Sequence, residues 1–279
     1  MEMATVIRKP VVAGTFYPGD PGRLEKEIRS YLERVTVDRT AEYIVALVAP
    51  HAGYVYSGPV AAYSYRQLQG KAYDTVVVIS PSHRDLFNFS SVFQGKGYET
   101  PLGSIEVDQK TAGELASHIE RSVRISSEGH LYSGEHSLEV QLPFLQVVLG
   151  SFKLVPIVMG SQDRENCLSL GRALTDVLAR KKALIVASSD LSHYHSQKTA
   201  QAMDSGVVES INRFDPDGLL GMISGHKSEA CGAGPVAAAM YAAKGLGAKH
   251  GENLYYATSG DVSGDYGQVV GYTAGIFYH

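Results

Sequence analysis

Cysteine is scarce in this sequence, and neither a long hydrophobic run nor an excess of charge of one sign is present. The 279 residues include two cysteines, Cys167 and Cys231, which are too few for a disulfide framework and lack a Cys-x-x-Cys spacing. We therefore expect two free thiols. The 25 Lys and Arg residues are interspersed with 29 Asp and Glu residues, and no basic cluster of the kind that binds nucleic acid occurs.

Membrane and secretion signals are also missing. The most apolar stretch, residues 233–243, is shorter than the roughly 20 residues that cross a bilayer, and Lys244 ends it. The N-terminal segment shows no apolar region followed by a small-residue cleavage site, so it does not resemble a signal peptide. These features predict a cytoplasmic location.

The sequence does contain enough apolar material for a large core. Hydrophobic residues make up 44% of the chain and charged residues 19%, a balance typical of a folded globular protein. Four runs rich in Val and Ile show no polar alternation, as in strands buried on both faces. These runs are residues 44–49, 75–79, 154–159 and 183–187.

Helical periodicity occurs between the apolar runs. The helical patterns cover residues 59–68, 109–119, 138–149 and 164–180, and a further helix is predicted to begin at Asp20-Pro21, with two more over 198–213 and 235–244. Alternating strands and helices predict right-handed crossovers and a largely parallel central sheet. No linker or repeat of fixed period divides the chain, so one domain over residues 1–279 is predicted.

Three of the ten histidines share one position relative to the predicted strands. His51 and His83 each follow a buried strand by a few residues, and His193 follows a later one. Ligands of open α/β sheets bind in the crevice at the carboxyl ends of the strands, so these imidazoles could converge. Clustered imidazoles suit Zn, Cu or Fe. The alternative for each histidine is a hydrogen bond to loop backbone.

Other candidates lie near these positions in the sequence. Cys231 is a candidate thiolate ligand, and Asp190 could orient an imidazole or bind the ion itself. His136 could act as a general acid or base; alternatively, Ser137 caps a helix and His136 is solvated. His195 could flank His193. We expect surface positions for the remaining histidines, such as His118, His226, His250 and His279, and a core position for Cys167.

Several short motifs together resemble those of the Memo family, whose bacterial and archaeal members are also called AmmeMemoRadiSam system protein B. The motifs are Ala-Gly-Thr-Phe-Tyr-Pro at 13–18, Pro-His-Ala-Gly-Tyr at 50–54, Pro-Ser-His at 81–83, Glu-His-Ser-Leu-Glu-Val-Gln-Leu-Pro at 135–143, Ser-Ser-Asp-Leu-Ser-His at 188–193 and Cys-Gly at 231–232. They occur in order along nearly the whole chain.

The resemblance implies both a fold and a site. The fold of the family is similar to that of class III extradiol dioxygenases, which bind non-haem Fe(II) through two histidines and a glutamate. A single-domain α/β/α sandwich with a largely parallel central sheet is therefore expected. Carried over by motif, the two histidines correspond to His51 and His83, and Cys231 takes the place of the carboxylate. Asp190 and His193 correspond to further residues lining the family's site.

The function implied by the resemblance is a metal-dependent, dioxygenase-like oxidoreductase acting on an unknown small molecule. Its cofactor would be Fe(II) or Cu, with Zn as a further option, because a thiolate favours Cu(I) or Zn and changes the redox properties of iron. A functional link to an AMMECR-type protein and a radical SAM enzyme is also implied. Two alternatives stay open: a non-catalytic protein that recognises a peptide or protein partner through the same pocket, and hydrolysis by zinc-activated water.

Overall fold

Twelve strands and nine α-helices occur in the residues that the computed structural model describes, which are 3–36, 41–118 and 122–279. The strands are β1 (Ile7–Arg8), β2 (Ile44–Ala49), β3 (Thr75–Pro81), β4 (Ser90–Val92), β5 (Gly97–Thr100), β6 (Gly103–Glu106), β7 (Val123–Ile125), β8 (Lys153–Met159), β9 (Ala183–Ser188), β10 (His193–His195), β11 (His250–Thr258) and β12 (Val269–Tyr278). The helices are α1 (Pro21–Arg34), α2 (Tyr54–Arg66), α3 (Gln109–Ala116), α4 (Leu142–Leu149), α5 (Arg164–Leu178), α6 (Gln197–Asn212), α7 (Pro216–Ser224), α8 (Ala233–Gly245) and α9 (Gly260–Ser263). Met3–Thr5 and Glu139–Gln141 form 3-10 helices. Among these described helices, none combines the length and the apolar character that crossing a membrane requires.

Nine strands form one central sheet. Their order is β10-β12-β2-β9-β3-β8-β4-β7, with β11 paired to β12. The four central strands, β2, β9, β3 and β8, are parallel to one another, whereas β12 runs antiparallel to β2 and β4 antiparallel to β8. The predicted parallel sheet is thus confirmed at the centre. Because these four strands point the same way, the loops after them meet at one edge of the sheet.

Helices cover both faces of this sheet. Val77 and Ile79 of β3 pack into a core shared with α3, α5, α7 and α8, whereas Val76 and Val78 pack into a second core shared with α1, α2 and α4. Each central strand is buried on both faces, which explains why its sequence shows no polar alternation. The expected α/β/α sandwich is confirmed.

Local sequence signals set the first helix but misplace the second. The Asp20 side chain accepts a hydrogen bond from the backbone N–H of Arg23, and Pro21 occupies the first turn, as predicted for α1. For α2 the predicted start at residue 59 is wrong by five residues. Pro59 lies inside the helix, which begins at Tyr54, where the backbone N–H donates to the carbonyl of Phe16.

A smaller three-stranded sheet lies outside the predicted pattern. Its order is β1-β5-β6, with β1 parallel to β5 and β5 antiparallel to β6. Strands of two to four residues are too short to show a periodic pattern, so the sequence did not indicate them. This sheet places the buried Arg8 close to the loops at the carboxyl edge of the central sheet.

Candidate metal centre

Three imidazoles meet at the carboxyl edge of the central sheet. His51 lies two residues beyond β2, His83 lies two residues beyond β3, and His136 lies in the turn before the Glu139–Gln141 3-10 helix. One ring nitrogen of each histidine lies within 4.8 Å of the corresponding nitrogens of the other two. The ring centroids are 5.2–5.8 Å apart. Of the three histidines that the sequence suggested could converge, His51 and His83 lie in this group, whereas His136 and not His193 is its third member.

His51 is buried and held on three sides. Its backbone N–H donates to Asp190 Oδ1 at 2.7 Å, its Nδ1 lies 2.9 Å from Ser188 Oγ, and its Nε2 lies 3.3 Å from Cys231 Sγ. Burial, followed by the charges of neighbouring histidines, lowers the pKa of His51 well below its usual value. The ring is therefore neutral at neutral pH, and a neutral ring is the form that binds a metal ion.

Glu135 organises the other two histidines. Its Oε1 lies 3.1 Å from His83 Nδ1 and accepts the backbone N–H groups of His136 and Ser137 at 2.8 and 2.9 Å. Its Oε2 accepts the backbone N–H of His83. Burial by itself would raise the pKa of Glu135, but the hydrogen bonds and charge of His83 and the backbone donors lower it well below the usual range. Glu135 is thus an ionised acceptor against His83.

Cys231 and Asp190 lie on the other side of His51. The backbone N–H of Asp190 donates to Cys231 Sγ at 3.2 Å. Burial, with the nearby Asp190 carboxylate, raises the pKa of the Cys231 thiol, so a nearby cation is needed to favour the thiolate. Burial also raises the pKa of Asp190, against the hydrogen bond from the His51 backbone. His193, on β10, lies close enough for its charge to act on both His51 and Asp190.

The composition of the histidine group differs from the set predicted from the sequence. His136 completes the group, and Cys231 contacts His51 from outside it. Only 16% of the His136 side chain is exposed, so the solvated helix-cap alternative does not describe it. The metal role of Cys231 and the catalytic roles of His136, His193 and Asp190 stay predictions.

The other histidines and the second cysteine fit the predictions less uniformly. His226, His250 and His279 are exposed, and Cys167 is fully buried in α5, as expected. His118 is partly buried and lies 2.8 Å from Asp176. His130, another of the histidines expected at the surface, is buried with 3% exposure, so the prediction is wrong for this residue.

The N-terminal loop packs against the histidine group. The ring of Phe16 lies edge-on to His136, with centroids 4.7 Å apart. The loop is fastened by Glu139, whose carboxylate accepts hydrogen bonds from the side chains of Arg8 and Tyr17 and from the backbone N–H groups of Val11 and Val12. Glu135 and Glu139 had no assigned role in the sequence analysis, although both belong to the 135–143 motif. The position of Glu135 directly before the candidate His136 was the sequence feature that could have indicated its role.

The donor set fits one transition-metal ion. Zn–N bonds are about 2.0–2.1 Å long, so two ring nitrogens on a tetrahedral ion stand roughly 3.4 Å apart. The three nitrogens here lie within 4.8 Å of one another. Small rotations of the partly exposed His83 and His136 side chains would close that gap, whereas His51 is held by its buried contacts. Imidazole with a neighbouring thiol suits Zn, Cu and Fe.

Comparison with known proteins places the chain in a family. The family model described as Memo-like protein matches residues 8–276. A MEMO1 family protein of Methanopyrus kandleri is 40% identical over 97% of this chain and 98% of its own length, and one of Methanosarcina mazei is 41% identical over 96% and 98%. An uncharacterized protein from Escherichia coli K12, known from a crystal structure, shares the fold with a TM-score of 0.55 at 16% identity, covering 84% of this chain and 100% of that one. The chain belongs to the Memo family.

Proposed function

We propose that this protein binds one iron or copper ion through His51, His83 and His136 and uses it in an oxidoreductase reaction on a small molecule. The observation that carries this proposal is the convergence of three ring nitrogens within 4.8 Å at the carboxyl edge of the sheet. An iron or copper ion bound there would supply one-electron chemistry that side chains lack. The protein supplies ligands and groups that hold protons.

The surrounding side chains have distinct roles in this proposal. Cys231, 3.3 Å from His51 Nε2, serves as a thiolate ligand once a cation offsets its raised pKa. Asp190, which accepts the backbone N–H of His51, and His193 on β10 exchange protons with the substrate in this proposal. Burial raises the pKa of Asp190, so its carboxyl can hold a proton. The side chain of His136 is more exposed to solvent than that of His51, so His136 borders the substrate in this proposal.

Metal content tests the binding site directly. Protein purified anaerobically without a His-tag should hold one equivalent of metal, and the His51→Ala/His83→Ala variant should hold none. A matched control is His226→Asn/His250→Ala, which replaces two exposed histidines outside the site and should keep the full equivalent. Stoichiometric metal in the His51→Ala/His83→Ala variant would refute the site assignment.

Metal identity and turnover need separate measurements. Anomalous scattering from anaerobic crystals at the Fe, Cu and Zn edges reports which ion is present and which residues bind it. An Fe or Cu signal together with reversible oxidation of the bound ion would support the oxidoreductase. A Zn signal alone would contradict redox chemistry and favour hydrolysis by zinc-activated water.

A second candidate is a binding protein that recognises a partner through the same crevice. Leu86 and Tyr132 favour it, because they lie on the loops that carry His83 and His136 and expose nearly their whole side chains. Binding to an AMMECR-type protein or a radical SAM enzyme is the first interaction to assay. Partner affinity that is unchanged by chelation and by Cys231→Ser would favour this candidate over the enzyme.

A further inference from the structure

The hydroxyl of Ser188, the last residue of β9, has three hydrogen-bond partners. Its oxygen lies 2.7 Å from the carbonyl of Ser137, 2.7 Å from Gln141 Nε2 and 2.9 Å from His51 Nδ1. A carbonyl can only accept, so the single hydroxyl proton of Ser188 is donated to Ser137. The amide of Gln141 and the ring of His51 must then both donate to the Ser188 oxygen.

The orientation of the Gln141 amide is fixed independently. Its NH2 group faces the carbonyl oxygens of Ala49 and Pro50 at 3.3 and 3.0 Å, and carbonyls accept only. Its Oε1 accepts from the Tyr65 hydroxyl at 2.6 Å. If the amide oxygen and nitrogen of Gln141 were exchanged, its oxygen would face the carbonyl oxygens of Ala49 and Pro50, and neither atom of each pair could donate. Gln141 therefore donates to Ser188, and the remaining acceptor site of that hydroxyl faces His51.

Glu135 imposes the same condition on His83. The carboxylate accepts three backbone N–H groups, from His83, His136 and Ser137, and it offers no proton. His83 Nδ1 lies 3.1 Å from Oε1, so this ring nitrogen must carry the proton. In both histidines Nδ1 is bound to a buried acceptor, so the neutral form of each ring carries its proton on Nδ1 and has the lone pair on Nε2. In His51 that Nε2 faces Cys231 Sγ.

We propose that Ser188, held by Gln141, and Glu135 are positioning residues that fix the proton of His51 and His83 on Nδ1, so that both rings present the Nε2 lone pair to one ion. This inference rests on the proposed metal-binding function for its purpose, although the tautomers themselves are properties of the metal-free protein. Groups that hydrogen-bond the far side of a metal-bound histidine set its tautomer and orientation, and their loss typically lowers metal affinity about 10–100-fold.

The tautomers can be measured without any metal. Long-range 1H–15N correlation spectra of metal-free protein labelled with 15N-histidine distinguish a protonated Nδ1 from a protonated Nε2. His51→Gln and His83→Gln variants assign the two rings by loss of their signals. The expected result is a protonated Nδ1 in both. A protonated Nε2 in either ring of the wild-type protein overturns the inference for that ring.

The positioning residues are then tested by substitution. Ser188→Ala should populate the other tautomer of His51 and weaken Zn2+ binding, measured by competition with a chromophoric chelator, about 10–100-fold. Glu135→Gln should do the same through His83. The control is Ser64→Ala, because the buried Ser64 hydroxyl donates to the carbonyl of Val48 at 2.7 Å and has no histidine partner among the described residues. It should change neither measurement.

The outcomes separate this inference from the proposed function. Wild-type protein that binds no Zn2+, Fe2+ or Cu+ but shows protonated Nδ1 in both rings refutes the metal-binding function and leaves the tautomer assignment intact. Wild-type protein that binds metal, with a folded Ser188→Ala variant of unchanged tautomer and unchanged affinity, refutes the role of Ser188 alone. If Ser188→Ala does not fold, as judged by its thermal melt, the wild-type spectra still decide the assignment.

Discussion

Replacing Glu139 by glutamine should destabilise this protein far more than an ordinary surface substitution. Glu139 forms an ion pair with Arg8 in which both side chains are nearly inaccessible to solvent, 0% and 5% exposed. The same carboxylate accepts from Tyr17 and from two backbone N–H groups of the N-terminal loop. Glutamine keeps the size of the side chain but removes its charge, which leaves the Arg8 guanidinium buried without a counter-ion.

The expected loss follows from that uncompensated charge. Removing one partner of a buried ion pair costs about 3–5 kcal/mol of folding free energy. At roughly 2 °C of melting temperature per kcal/mol for a chain of this size, the midpoint should fall by about 6–10 °C. Because the loop carries Phe16 against His136, the edge of the histidine group should also loosen.

Urea denaturation and thermal melts of four variants test this reasoning: Glu139→Gln, Arg8→Met, the double variant that combines them, and a control. The matched control is Glu99→Gln, which removes the partly exposed partner of the exposed Lys9 and should cost less than about 1 kcal/mol. Arg8→Met/Glu139→Gln should be more stable than Glu139→Gln alone, because it removes the unpaired charge. Glu139→Gln within about 1 kcal/mol of the wild type, or a double variant that loses the sum of both single effects, would refute the account.

Two further substitutions probe other buried contacts. Burial lowers the pKa of His130 to about 3, whereas an unfolded histidine titrates near about 6.5. Only the unfolded chain takes up this proton between those values, so the free energy of unfolding should fall as the pH drops from about 6.5 towards 3, by up to about 1.4 kcal/mol per pH unit. Urea denaturation at several pH values should show that the unfolding free energy of His130→Gln depends less steeply on pH than that of the wild type. An equal dependence on pH in the two proteins would argue against this role. A Cβ at Gly232 would lie 2.2 Å from the carbonyl of Ser188, so Gly232→Ala should lose about 1–3 kcal/mol and weaken Zn2+ binding by shifting Cys231. Gly221→Ala, in α7 with nothing within 4 Å of the new Cβ, should keep or gain up to about 1 kcal/mol, and equal melting of the two variants would contradict the steric account.

The central sheet could be predicted because strands buried on both faces have continuous apolar sequences without polar alternation. Strand β2 was predicted at its observed bounds, and β3, β8 and β9 differ by one or two residues at an end. Strands β4 and β7 could not be predicted, since each has three residues and exists through pairing with the edge of the sheet. Such pairing depends on tertiary contacts that no local pattern encodes.

The site was predictable where it depends on strand ends and unpredictable where it depends on distant contacts. His51 and His83 follow β2 and β3, two parallel strands separated by β9, so their topology brings both residues to one edge of the sheet. The contact between His83 and Glu135 joins residues 52 positions apart, and periodicity carries no information about it. His130 was among the remaining histidines expected at the surface. It is buried because Tyr98 and the backbone of Ser91 occupy both ring nitrogens.

The spacing within one short turn explains how the distant parts of the site are held together. Glu135, Glu139 and Gln141 lie within seven residues, and each fixes a different segment: the His83 loop, the N-terminal loop and the end of β9. His136 in the same turn points into the histidine group. Glu135, Glu139 and Gln141 are each buried and hydrogen-bonded, so these three side chains hold the segments that they contact in a fixed relation to one another. An ion bound by His51, His83 and His136 would therefore also stabilise the N-terminal loop, because this turn contacts both. Metal binding should slow amide hydrogen exchange in that loop as well as in the site.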